Sequence, residues 1–192
     1  EEKIRLAARK LFTQKGFAAT RTREIAEEAG INLALLNYYF RSKQKLYDLI
    51  MEENMAAFQS GLAELFGNKE LDVYTKMERI VDYYINEFIS HPDLPMFIIN
   101  AIHNGTKPKP DGKIEQSRKI FVDQLQALKG RKKIKDLHTA HIIANLIGLI
   151  LFPFAIQPLL KRRTGIQDKE FIALMQERKK LIPHWIRLML EQ

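Results

Sequence analysis

The 192-residue chain contains no cysteine, which excludes disulfides, thiolate metal sites and cysteine nucleophiles together. Glycine and proline are few, nine and seven residues, and most fall between periodic segments. Strand-like alternation, internal repeats and low-complexity tracts are all missing, so the remaining periodicity is helical throughout. A Gly-rich phosphate loop and an HExxH motif are also missing. The neighbouring carboxylates Glu27-Glu28 and Glu52-Glu53 are adjacent pairs on solvated helix faces. Together these absences argue for a binding protein over an enzyme, and no cofactor is expected. Long hydrophobic runs are scarce as well. Ile142–Leu160 lacks any charge but is interrupted by Asn145, Pro153, Gln157 and Pro158. A membrane span needs about 20 mostly apolar residues, so this run is expected to be a buried helix in a bundle or dimer core. Glu1-Glu2-Lys3 opens the chain without an apolar stretch or an initiator Met. No secretory signal is expected, a few residues are expected to precede Glu1, and the default address is cytoplasmic.

Positive charge is what the chain does have. The formal net charge is +8, which suits a polyanionic partner, nucleic acid or an anionic membrane. Residues 1–47 carry ten Lys/Arg against five Asp/Glu, whereas residues 48–192 carry twenty-one against eighteen. The surplus is concentrated in the first quarter.

Helical spacing of Ile4, Ala7, Ala8, Leu11 and Phe12 predicts a first helix ending at Gly16. A second covers Thr22 to Ala29, stopped by Gly30, and a third covers Leu33 to Phe40 with Asn32 as N-cap. Ser42 can cap a long fourth helix from Lys43 to Gly67. Val73–Ser90 and Leu94–His103 follow, then a loop over 104–112, a seventh helix to Leu128 and a basic turn over 129–133. The eighth starts near Lys135 and bends or breaks near Pro153 or Pro158; the last runs Asp168–Leu190 with a kink expected at Pro183.

Ala29-Gly30-Ile31-Asn32 has the length of a helix-turn-helix turn. Leu36 and Phe40 would face inward toward Ile25 and Leu11, leaving Leu33, Ala34, Asn37 and Tyr38 outside. A recognition helix presents its first turns to the major groove in this way. Asn can pair with adenine, and Ala or Leu can meet a thymine methyl. Arg23 can reach a base edge or a phosphate. Tyr39 either contacts phosphate or packs between helices, and Lys43 opens the fourth helix where backbone N–H groups favour phosphate.

Ala7-Ala8-Arg9-Lys10-Leu11-Phe12, Gly16-Phe17, Thr20 to Ala26, Ala29-Gly30-Ile31-Asn32 and Tyr38-Tyr39-Phe40-Arg41-Ser42-Lys43 together closely resemble the DNA-binding domain of the TetR/AcrR family of regulators, over about residues 3–50. The resemblance implies an all-α fold of about nine helices. It divides the chain into a helix-turn-helix domain, 1–47, and a ligand-binding and dimerisation domain, 48–192. It further implies a homodimer built on the last two helices as a four-helix bundle, and a repressor that leaves a palindromic operator when a small molecule binds. Thr22, Arg23, Leu33, Ala34, Asn37, Tyr38, Tyr39 and Lys43 fall where family members contact DNA. Asn37 replaces the usual recognition-helix Tyr, Leu35 a small or hydroxylated residue, and Arg21 a capping Ser or Thr, so an operator sequence does not transfer from a relative.

Phe88, Met96, Phe97, Phe121, Phe152, Phe154 and Trp185 could line a pocket or simply fill the core. The residues expected to orient an effector are Tyr84, Phe97, Asn100, His103 and Asn145. His138 and His141 share a spacing of three but need a further ligand to hold a metal, and no metal site is expected.

Overall fold

A computed structural model describes residues 1–103, 112–130 and 134–191. Ten helices and no strand occupy the described residues: α1 (Glu2–Ala19), α2 (Thr22–Glu28), α3 (Leu33–Phe40), α4 (Lys43–Gly67), α5 (Val73–Ser90), α6 (Leu94–His103), α7 (Gly112–Gly130), α8 (Thr139–Ala155), α9 (Gln157–Thr164) and α10 (Asp168–Leu190). The expected count of about nine rises to ten because the apolar eighth helix divides at Ile156, whose N–H closes α8 onto Phe152 and Phe154. Pro153 lies inside α8, and Pro158 sits in the first turn of α9, where its missing N–H costs nothing. The two pieces meet at 62°, and no single helix among the described residues is long and apolar enough to cross a membrane.

Several details differ from the sequence reading. α1 continues to Ala19 in short turns after its backbone breaks at Gly16 (φ 74°, ψ 166°). α8 starts at Thr139 rather than Lys135, because Lys135 N–H donates to Leu190 O (2.8 Å) and holds the preceding segment out of the helix. His138 then caps α8 through its ring, accepting from Ala140 N–H at 3.2 Å. α10 runs unbroken through Pro183. Residues 104–111 of the expected loop and 131–133 of the expected basic turn lie outside the described residues.

The described helices group into two units. One gathers Glu1–Ala57 with Ser90–Pro108, the other Phe58–Ile89 with Lys109–Gln192, so the division falls inside α4. The first unit has a core of Ile4, Ala8, Leu11, Phe12, Ile25, Leu36, Phe40, Leu46 and Ile50. Phe12, Phe17 and Tyr47 close it as an aromatic triad, with ring centroids 4.7–6.0 Å apart. Each such buried side chain contributes about 1.5–3 kcal/mol, which lets three short helices hold one geometry.

In the second unit an aromatic stack passes from Tyr84 and Phe58 (4.8 Å) through Phe88 to Phe154 (5.2 Å) and Phe171 (5.6 Å). Lys76 is fully buried there. Its ammonium donates to Phe66 O (2.8 Å) and Gln124 Oε1 (2.7 Å), fastening the last turn of α4 to α5 and α7.

Candidate nucleic-acid interface

The site begins with how α2 stops. Ala29 ends the helix and Gly30 takes φ 67°. Gly30 N–H returns to Glu27 O (3.0 Å) and Ile31 N–H to Ala26 O (2.9 Å). This paired closure satisfies the last carbonyls and requires the left-handed conformation at Gly30, which glycine adopts without a Cβ penalty. Asn32 then starts α3 by accepting from Leu35 N–H at 2.8 Å. At the start of α2, Arg21 cannot act as a side-chain acceptor; instead the Glu24 carboxylate accepts from Arg21 N–H at 2.9 Å. That bond, with the Lys15 ammonium, holds Glu24 below the usual carboxylate range.

α3 anchors on Leu36 and Phe40, both buried in the same core cluster as Ile25 and Leu11. Its other side faces outward. Ala34, Leu35, Asn37, Tyr38 and Tyr39 are exposed and Leu33 is half-buried. Tyr38, at 79% exposure, has no packing role comparable to its size. Tyr39 is 46% exposed with its ring edge-on to Tyr38 (5.5 Å), so it lies on the outer face and not between helices. Thr22 is half-buried at the head of α2, with Arg23 exposed beside it.

Lys43 is engaged within the domain. Its ammonium donates to Phe17 O (2.8 Å) and Thr20 O (2.9 Å) and lies 4.2 Å over the Phe17 ring. Two of its three donors therefore tie the first turn of α4 to the α1–α2 connection. Thr20, buried, completes the tie by donating to Gly16 O (2.8 Å). Sequence reasoning missed Thr20, because a lone Thr before a helix reads as a cap.

The charges sort by helix. Arg5 and Arg9 pair with Glu53 (2.9 and 2.7 Å), Lys10 with Glu28 (2.5 Å) and Lys15 with Glu24 (2.9 Å). Arg23, Arg41 and Lys45 are exposed and form no ion pair among the described residues. Arg41 occupies the turn after α3 at φ 59°, and Lys45 sits in the first turn of α4, its N–H held by Ser42 Oγ (3.1 Å). Arg41 and Lys45 were also missed; the +5 surplus of residues 1–47 was the signal that free cations must exist here.

The expected effector residues are dispersed. Tyr84 packs its ring against Phe58 and Phe88, and burial pushes its phenol up to about 12. Asn145 is exposed on α8 with Nδ2 against Met189 Sδ. In the first unit, Phe97 is half-buried on α6, while Asn100 and His103 on the same helix are exposed. No group of three or more His, Asp or Glu able to hold a metal occurs among the described residues.

Residues 4–50 match the family model described as "Bacterial regulatory proteins, tetR family". The chain is 26% identical to "Probable HTH-type transcriptional regulator YttP" of Bacillus subtilis, over 82% of this chain and 78% of that protein. It is 24% identical to "HTH-type transcriptional activator FasR" of Mycolicibacterium smegmatis, over 76% and 64%. Against "HTH-type transcriptional repressor NicS" of Pseudomonas putida identity is 30%, over 54% and 49%. Among solved structures, a transcriptional regulator from Cytophaga hutchinsonii aligns over 100% of this chain and 98% of its own, with a TM-score of 0.65 at 18% identity.

Proposed function

We propose, from the match of residues 4–50 to the tetR-family model, that the chain is a homodimeric repressor of that family whose residues 1–47 read a palindromic operator and whose residues 48–192 dimerise and sense a small molecule. The observation that carries this reading is the outer face of α3: Ala34, Asn37 and Tyr38 are exposed and Leu33 half-buried beside a well-packed core, with Arg23, Arg41 and Lys45, which form no ion pair among the described residues, on either side in sequence. Asn37 offers a donor–acceptor pair to adenine, and Leu33 and Ala34 offer contact to a thymine methyl. Thr22, Arg23, Tyr39, Arg41 and Lys45 take phosphates, which fix register without reading sequence. Lys43 acts from behind by fixing the start of α4.

The dimer follows from the far end of the chain. Eight of the fourteen large hydrophobic side chains exposed among the described residues lie on α8, α9 and α10. Such a face is suited to burial against a second copy. Two recognition helices related by a two-fold would read half-sites roughly 34–36 Å apart. Blocking polymerase requires nothing beyond operator affinity, which supports repression; the protein acts by binding and not by catalysis, in the cytoplasm where the chromosome is. Tyr84 is the effector-orienting candidate that the packing favours, since its ring lies in the aromatic stack and Asn145, Asn100 and His103 are exposed.

Selection of bound duplexes from a random pool tests the proposal. The expected product is an inverted repeat bound by two chains, with affinity that falls steeply with salt. Equal affinity for selected and random duplexes would overturn it.

A further inference from the structure

The exposed face of α10 carries one pair of charges in an apolar setting. Leu174, Leu181, Trp185 and Leu188 recur at helical spacing and are all exposed. Between them stand Glu177 and Arg178. Both line an open groove of about 390 Å³ whose other walls include Leu149, Phe152, Ile156 and Leu160.

Arg178 is incompletely satisfied. It donates to Leu149 O at 2.7 Å and lies 5.2 Å over the Trp185 ring, but its Nε is buried without a hydrogen-bond partner. It has no carboxylate partner among the described residues, and desolvation already lowers its pKa. Glu177 is exposed and forms no ion pair among the described residues. Successive residues on a helix point apart, so Glu177 cannot neutralise Arg178 within one chain. Nor can α8, which carries no charged residue. Glu177 is the single carboxylate among the residues lining the groove.

Covering this face with apolar surface would strip water from both charges, and an unpaired desolvated charge is strongly destabilising. A two-fold interface resolves this, because residue i of one copy meets residue j of the other and the reverse holds as well. Glu177 and Arg178 lie near the middle of α10, where a helix crossing its own symmetry mate meets the same residues. We infer that Glu177 of each subunit pairs with Arg178 of the other across the two-fold, and that this reciprocal pair sets the register of the dimer. The inference rests on the dimer proposed above and deepens it by naming the contact that selects a second copy of this chain over other apolar surfaces.

Charge reversal provides the test. E177R places like charges opposite each other at both contacts of its homodimer, and R178E does the same with the other sign. A mixed dimer of the two variants restores both pairs. Sedimentation of the full chain is expected to show a wild-type dimer and at least about tenfold weaker self-association for each variant. An equimolar mixture should regain dimers, identified as mixed by a tag on one variant. E177Q, a neutral change at an exposed position, should weaken the dimer while K180Q does not. A monomeric wild type overturns the dimer reading and this inference together. A dimeric wild type with E177R and R178E both dimeric, or with no gain on mixing, overturns the Glu177–Arg178 pair alone.

Discussion

Replacing Lys43 with Met keeps the alkyl stem and removes the ammonium. The variant loses hydrogen bonds to Phe17 O and Thr20 O and a cation–π contact with the Phe17 ring. Charged hydrogen bonds contribute about 1.5–3 kcal/mol each, and the cation–π contact about 0.5–1 kcal/mol. Lys43 is half-exposed, so water recovers part of the loss at both carbonyls, and a net cost of about 2 kcal/mol is expected. For a chain of this size that lowers the melting temperature by about 4–8 °C. DNA binding discriminates this role from a phosphate contact. Each neutralised phosphate adds about 0.9 to the slope of log affinity against log salt. A Lys43 phosphate contact in both half-sites would therefore take about 1.8 from the slope on substitution. A structural tie leaves the slope unchanged. Differential scanning calorimetry and anisotropy titrations at several salt concentrations, well below the melting point, give both numbers. An unchanged melting temperature together with a flattened salt slope would refute the assignment.

Asn37→Ala should cost about 1–3 kcal/mol on the selected operator, roughly 5- to 150-fold in affinity, and little on random duplex; anisotropy on both duplexes reads the difference. Gly30→Ala meets no atom within 4 Å, so its cost is backbone strain at φ 67°, about 1 kcal/mol, seen as a melting temperature lower by about 2–4 °C. Asp72 caps α5 by accepting from Tyr74 N–H (2.9 Å) and Thr75 N–H (3.1 Å), and from the Thr75 hydroxyl; Asp72→Ala should cost about 1 kcal/mol at neutral pH. The Thr75 hydroxyl first, then the backbone bonds, hold the Asp72 carboxyl below its ordinary value. Its contribution is therefore complete above the ordinary Asp pKa of about 3.9 and is lost as pH falls through the lower folded value. Urea titrations should show the gap between wild type and Asp72→Ala closing in acid and constant from about pH 5 upward.

The helix-turn-helix was legible because its determinants are local. Gly30 ends α2, Asn32 opens α3, and the four-residue step from Leu36 to Phe40 sets which side is buried; each depends on residues within one turn of chain. Burial of Lys76 was illegible, because its acceptors are a carbonyl ten positions away and Gln124 on α7. In sequence it reads as a solvated helix lysine. The tie made by Lys43 was illegible for the same reason, since its acceptors Phe17 O and Thr20 O lie more than twenty positions away. The division at Ile156 was legible through its prolines: Pro158 opens α9 two residues on, while Pro153 is accommodated inside α8. Asn145 and His103 were selected as polar groups on apolar helices, and periodicity alone could not tell that both sit on the solvent side.

The ion pairs of the first unit have an electrical consequence. Arg5, Arg9, Lys10 and Lys15 of α1 are engaged by Glu2, Glu24, Glu28 and Glu53, so most of the charge of α1 is compensated, while Arg23, Arg41 and Lys45 form no ion pair among the described residues. A net charge of +8 spread evenly would draw the protein to DNA in any attitude. Sorted this way, the surplus of residues 1–47, ten Lys/Arg against five Asp/Glu, is unevenly distributed over the domain. Over a Debye length of about 8 Å the polyanion exerts a torque as well as a pull. For the interface proposed above, encounters with DNA are expected to be biased toward α3 before a single base is touched, and association to quicken most where salt is low.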